Sequence, residues 1–202
     1  MKHPSEAGHS ELYGLVMAGG DSARMGVDKG MIDYHGMPQQ DYVAKLLEPF
    51  AEKVFISRRK GQEVKSHVQV LEDAYSGLGP FGGLLSAFQY KASCAWFVVA
   101  CDFPLLDEKA LQQLVEARDT TAHATCFLDE KSLMPEPWVT ILEPKIYPVL
   151  LEYFQNARSS LRGILVDYNV PVIRATHPEV LMNANTPEEA ERLKQLISER
   201  RS

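Results

Sequence analysis

The chain has 202 residues, 45% of them hydrophobic and 24% charged, and a net charge of −6. That length suits one domain with a sizeable core, the composition excludes a disordered chain, and the acidic balance lacks the basic footprint of a nucleic-acid binder. No apolar run approaches the roughly 20 residues that a membrane-spanning helix requires, so no membrane partner is expected.

The opening segment "MKHPSEAGHS" is polar and carries no apolar signal core. It reads as part of a flexible lead over residues 1–12, followed by one domain over 13–202 of a cytoplasmic protein. "YGLVMA" (13–18) reads as a buried strand. "PQQDYVAKLLEPF" (38–50) reads as a helix with Pro38 near its first turn, and "KVFIS" (53–57) and "VQVLED" (68–73) as the next two strands. "GPFGGLLSAFQYK" (79–91) begins with turn residues and continues as a helix, and "AWFVVACD" (95–102) is the clearest strand, apolar on both faces. "DEKALQQLVEA" (107–117) is a helix capped by Asp107.

Strands follow at "AHATCFL" (122–128) and "EPWVTIL" (136–142), then helices at "KIYPVLLEYFQN" (145–156) and "SSLRGILVDY" (159–168), the latter opened by Ser159 or Ser160. "VPVIRA" (170–175) is a short strand. "TPEEAERLKQLISERR" (186–201) is a closing helix with Thr186 as cap and Pro187 at its first position. Alternation of this kind predicts an α/β fold with right-handed crossovers and a mostly parallel central sheet covered on both faces, a Rossmann-like three-layer sandwich. Ligands in such sheets gather outside the carboxyl ends of the strands. The positions that matter are therefore Ala18 to Lys29, Ser57 to Lys60, Glu72–Asp73 and Cys101–Asp102.

The first of these stretches is "LVMAGGDSARMGVDKG" (15–30). Ala18, Gly19 and Gly20 remove side-chain bulk, so a ligand can approach the main chain and backbone N–H groups can face anionic oxygens. Arg24 adds a planar fork suited to phosphate, and Lys29 a compact, movable charge. The dinucleotide pattern G-x-G-x-x-G is absent, and so is the G-x-x-x-x-G-K-[ST] loop, because Gly30 follows Lys29. Cys94, Cys101 and Cys126 are odd in number and lack metal-ligand spacing, which predicts buried thiols. The six histidines are scattered and form no ligand pattern.

"AGGDSARMGVDKG" resembles the signature A-G-G-x-S-x-R-M-G-x-D-K of the molybdenum cofactor guanylyltransferase family, within the wider group of nucleotidyltransferases. "GMPQQDYVAKLL", "EDAYSGLGPFGGLLSAF", "VVACDFPLL" and "NANTPEEAERL" resemble further segments of that family, from about residue 13 to residue 196. The resemblance implies transfer of GMP from GTP to the phosphate of molybdenum-bearing molybdopterin, with release of pyrophosphate. The partners it implies are GTP, a molybdopterin-type pterin phosphate, cofactor-synthesis proteins, and the apoproteins or chaperones of molybdoenzymes. It implies Mg²⁺ as cofactor, with Asp102 as metal ligand and Arg24, Lys29 and Asp102 as the catalytic set. Nucleotide contacts fall on main-chain groups of Met17, Ala18, Gly19 and Gly20 and on Lys29, Asp73 and Asp102; acceptor contacts fall on Asn183, Asn185 and Arg162.

Plainer readings stand beside these. Asp102 can start a turn before Pro104, Lys29 can be a solvated loop lysine, Asp73 can cap a turn, Asn183 and Asn185 can shape the turn before the last helix, and Arg162 can be a solvated helix residue. Gly79, Gly82 and Gly83 are expected to keep the pocket wall thin. Gly82 stands where the family commonly has alanine, a change expected to keep the same room. One departure concerns the base. The family often carries an asparagine after the second strand; here the loop reads "SRRKG", with Arg58 at about that position. Arginine accepts no hydrogen bond, so the choice between GTP and CTP stays open, as do a sugar-phosphate acceptor and a non-catalytic nucleotide-binding adaptor.

Overall fold

The computed structural model describes residues 10–18, 28–62, 66–75 and 77–201. Its strands are β1 (Leu12–Met17), β2 (Val54–Arg59), β3 (Gln69–Asp73), β4 (Ala95–Ala100), β5 (Ala124–Asp129), β6 (Met134–Leu142) and β7 (Val172–Ile173). Its helices are α1 (Gln39–Leu47), α2 (Pro80–Tyr90), α3 (Glu108–Glu116), α4 (Tyr147–Gln155), α5 (Leu161–Asp167) and α6 (Pro187–Arg201). The strands form one seven-stranded sheet in the order β3-β2-β1-β4-β6-β5-β7. Helices α1 and α3 touch each other over one face and α2 and α4 over the other, which makes three layers.

The unbroken apolar runs explain the centre. Every residue of β1 and β4 is buried, and the two strands pair in parallel with Leu15 beside Val98 and Met17 beside Ala100. Trp96 is fully buried and meets Tyr13 edge to face at a ring separation of 5.6 Å. The caps read from sequence form: Asp107 accepts from Ala110 N at 2.8 Å and Ser160 from Gly163 N at 3.0 Å. Thr186 and Glu189 go further and close a reciprocal capping box, Glu189 N donating to Thr186 Oγ1 at 3.2 Å and Thr186 N to Glu189 Oε2 at 3.1 Å.

Two elements differ from the sequence pattern. Strand β6 pairs antiparallel with both β4 and β5, because residues 130–133 are too few to carry a parallel crossover and only a hairpin can form. Strand β7 spans Val172–Ile173 rather than the whole of "VPVIRA". Pro171 has no N–H to donate, and past Ile173 the Arg174 carbonyl turns away to accept from Gln113 Nε2 at 2.7 Å.

Residues 1–9 of the expected lead lie outside the described residues. Leu12 already belongs to β1, and Ser10 is tied down: its Oγ donates to Glu143 Oε2 at 3.0 Å and its carbonyl accepts from Arg118 at 3.2 Å. All three cysteines are free and buried. Burial raises each thiol, Cys94 to about 11, Cys126 to about 12 and Cys101 further still. Among the described residues, no helix is long and apolar enough to cross a membrane.

The sheet order places the site. The chain leaves β1 toward β2 on one side, while β4 returns on the other. The strand order therefore reverses at the β1–β4 pair, and in open α/β sheets the crevice outside the carboxyl ends at such a reversal is where ligands bind.

Candidate active site

The crevice is built by the segments that follow β1 and β4. The ladder runs slightly past the strands: Cys101 N donates to Met17 O at 3.3 Å and Ala18 N to Ser57 O at 3.4 Å. The Ala18 N–H is consumed by the sheet, and the Met17 and Ala18 carbonyls already accept internal bonds, Ala18 O from Arg58 Nη1 at 3.0 Å. Gly19, Gly20 and Arg24, the other members of the expected cradle, lie outside the described residues.

Past the loop, Asp28 caps a short 3-10 turn, Lys29–Met31, by accepting from Gly30 N at 2.9 Å. That turn aims Lys29 across the crevice. Its Nζ lies 3.1 Å from Asp102 Oδ2 and donates to Asn185 Oδ1 at 2.9 Å. Asp102 stands two residues past the end of β4, and its carbonyl accepts from Ala184 N at 2.8 Å, which pins the "NAN" segment against the strand tip. Asn185 is held further by its own N–H, which donates to Glu189 Oε2 at 2.8 Å, so the cap of α6 and the site share a carboxylate. Lys29 and Asp102 keep side-chain exposures of 21% and 33%, enough for both to meet a ligand from solvent. Asn183 lies exposed at the start of the same segment.

The structure thus brings together Lys29, Asp102 and Asn185. Arg162 also reaches this edge of the sheet, on α5, with its side chain 38% exposed. Its Nη2 lies 3.5 Å from Glu136 Oε2 and 4.0 Å from Asp129 Oδ2. Glu136 is 4% exposed on β6. Continuing the pairing of Val99 with Val139 places it opposite Asp102. Burial raises the Glu136 pKa, with the Asp129 and Asp102 charges adding to the rise, against the Trp138 N–H and Arg162, which lower it. Sequence reasoning missed Glu136, although a lone glutamate among apolar strand residues was a signal. It also missed Tyr34, whose hydroxyl is buried without a partner among the described residues and is raised to about 12 by burial and by the Asp102 charge.

Asp73 sits apart from that cluster, 8% exposed at the tip of β3. Its Oδ1 accepts from Tyr75 N at 2.7 Å and from Ser86 Oγ at 3.2 Å, so it holds the β3–α2 turn, the plainer of its two readings. The adjoining glycines do thin the wall. A Cβ on Gly83 would meet Ser57 Oγ at 2.4 Å and Met17 Cε at 2.9 Å. Gly82 is required here where the family commonly has alanine: a Cβ would meet Tyr75 O at 2.5 Å and the Asp73 carboxylate at 2.7 Å. Gly82→Ala therefore forces the β3–α2 turn to move and is expected to cost about 1–3 kcal/mol by overpacking, read as a drop in the midpoint of urea unfolding. An unchanged midpoint would show that the turn yields freely.

The family profile described as "MobA-like NTP transferase domain" matches residues 14–172. The chain belongs to the MobA-like NTP transferase family. It is 33% identical over 77% of its length to the "Molybdenum cofactor biosynthesis bifunctional protein" of Synechocystis sp., and spans 44% of that longer protein. It is 26% identical to the "Molybdenum cofactor guanylyltransferase" of Shewanella piezotolerans, over 91% of this chain and 92% of that one. In fold it is similar to the crystal structure of "Molybdopterin-guanine dinucleotide biosynthesis protein A" from Archaeoglobus fulgidus, with a TM-score of 0.77 at 18% identity, covering 93% of this chain and 99% of that one.

As a nucleotidyltransferase of this family, the chain has to manage the charge of a triphosphate, and the donor set fits a small hard cation. Asp102 offers a carboxylate and Asn185 an amide oxygen on either side of the Lys29 ammonium. Among the described residues no three His, Cys, Asp or Glu side chains gather into a protein-only cage. One or two protein oxygens completed by substrate phosphates and water is how magnesium is commonly held.

Proposed function

We propose that this enzyme transfers GMP from GTP to the phosphate of molybdenum-bearing molybdopterin, forming the guanine dinucleotide cofactor and releasing pyrophosphate. The observation that supports it most is the Lys29–Asp102–Asn185 group at the β1–β4 reversal, in a chain whose relatives bear that activity in their names. The acceptor is a phosphate monoester with a second pKa of about 6, so it reaches the site already ionised and needs no general base. One of its oxygens bonds to the α-phosphorus of GTP while the bond from that phosphorus to the bridging oxygen breaks, and the electron pair leaves with pyrophosphate.

What the protein supplies is position and compensation of repelling charge. Lys29 Nζ faces the triphosphate and meets the charge that builds on the leaving group. By their place in the sequence motif, Arg24 would add a second cation and Gly19 and Gly20 main-chain donors for the phosphates. Asp102, with Asn185, would hold Mg²⁺, which would supply further neutralisation and orientation of the phosphates. Asn183 and Arg162 face the acceptor, and Asp73 supports the nucleotide from the β3 side by fixing the start of α2.

The test is pyrophosphate release from GTP and from CTP, each with molybdopterin as acceptor and magnesium present. Release from GTP with formation of the guanine dinucleotide is the expected result. Faster release from CTP would assign a cytidylyl activity, and tight GTP binding with no release under any acceptor would favour a nucleotide-binding adaptor.

A further inference from the structure

Arg58 lies at the tip of β2, paired in register with Glu72 on β3, and is 1% exposed. An arginine this deep has to be explained by what it holds, because its desolvation is costly unless its donors are satisfied. Nη1 donates to Ala18 O at 3.0 Å and to Asp28 Oδ2 at 2.6 Å, and Nη2 donates to Gln40 Oε1. Gln62 Nε2 adds a second bond to Asp28 Oδ2, at 3.1 Å. Gly30 is packed against the guanidinium, since a Cβ there would lie 3.0 Å from Arg58 Nη2 and 3.1 Å from Gln40 Oε1. The guanidinium therefore ties the end of β1 to the residue that caps the Lys29 turn and to the first turn of α1.

We infer that Arg58 is a positioning residue for phosphate chemistry, not a reader of the base. The inference rests on the nucleotidyltransferase reading of the same site. Arg58 acts through Asp28: one carboxylate oxygen of Asp28 takes the arginine, the other caps the turn at Gly30 N, and the turn sets Lys29 at its 3.1 Å approach to Asp102. Three of the five guanidinium N–H donors go to internal acceptors and Nε is buried without a hydrogen-bond partner among the described residues, so at 1% exposure the group offers a base almost no surface, and it already occupies the Ala18 carbonyl. Lysine is no equivalent here, because a single ammonium on a flexible stem lacks the fork that spans Ala18 and Asp28.

The experiment compares wild type with Arg58→Met, Arg58→Lys, Asp28→Asn, Gln62→Ala and the Arg58→Met/Asp28→Asn double variant. It measures kcat and KM for GTP, the ratio of GTP to CTP use, and thermal unfolding. Arg58→Met is expected to lower kcat about 10- to 100-fold, the scale of a small misplacement of a reacting group, with KM for GTP within about threefold and the GTP/CTP ratio unchanged. Arg58→Lys falls between wild type and Arg58→Met. The double variant is no slower than the worse single one, as for two residues acting through one linkage.

A large rise in KM with kcat intact, or a changed GTP/CTP ratio, would make Arg58 a base contact and overturn the inference. A lower unfolding temperature with unchanged kcat would reduce it to a structural strut. If Arg58→Met fails to fold, Gln62→Ala and Asp28→Asn decide: lowered kcat at constant KM supports the linkage, and unchanged kcat in both ends it. Failure of wild type to release pyrophosphate from any nucleotide overturns the functional reading instead and leaves no turnover for Arg58 to set.

Discussion

Asp102→Ala is expected to lower pyrophosphate release from GTP by at least about a hundredfold, the scale of removing one major electrostatic stabiliser from an active site. The side chain stands two residues past the end of β4, partly exposed and 3.1 Å from Lys29. Taking it away removes the carboxylate that would hold magnesium and leaves the lysine without its counter-charge. The fold loses little, since the Asp102 contact that organises the "NAN" segment is made by its backbone carbonyl to Ala184 N, and a partly exposed ion pair contributes on the order of 0–1 kcal/mol. Large loss of turnover with a nearly unchanged unfolding midpoint is therefore the signature. Asp102→Asn keeps the shape and one oxygen, so it should recover part of the activity at raised magnesium, which the alanine variant should not. Near-normal turnover in Asp102→Ala would remove this residue from the mechanism.

How much of this was legible beforehand depends on the range over which each feature is determined. Strand β4 could be read because six buried residues in a row leave no other pattern, and the helix starts at Asp107 and Ser160 because a cap is settled within three residues. The direction of β6 was not read, since it follows from the length of one short loop rather than from the strand's own residues. Lys29 and Asn185 stand 156 positions apart and still meet; each was visible only as part of its own motif, and no local pattern joins them. Arg58 shows the opposite case. Its identity and its departure from the family were plain, but its burial depends on Ala18, Asp28 and Gln40 converging from three segments. The same holds for Gly82, where the missing room comes from Asp73 and Tyr75 folding back over α2.

Lys29→Ala is expected to lower kcat about 10²- to 10³-fold, again the scale of losing one preorganised charge at a transition state, and to raise KM for GTP as well. Both parameters should move, because an ammonium that faces the triphosphate acts on the bound nucleotide and more strongly on the departing pyrophosphate. This separates Lys29 from Arg58, whose replacement should leave KM nearly unchanged. Lys29→Arg is not a conservative control. The guanidinium is larger and planar, whereas the native Nζ serves Asp102 and Asn185 from one point at 3.1 and 2.9 Å, so partial activity at most is expected. The pairing with Asp102 adds a stricter requirement. If the two side chains work on the same phosphates, the losses in Lys29→Ala and Asp102→Ala should fall well short of multiplying in the double variant, as neighbours in one network do. Fully multiplicative losses, or a Lys29→Ala enzyme with wild-type kcat, would mean that the 3.1 Å contact is a surface ion pair and that the catalytic cation has to be sought elsewhere in the crevice.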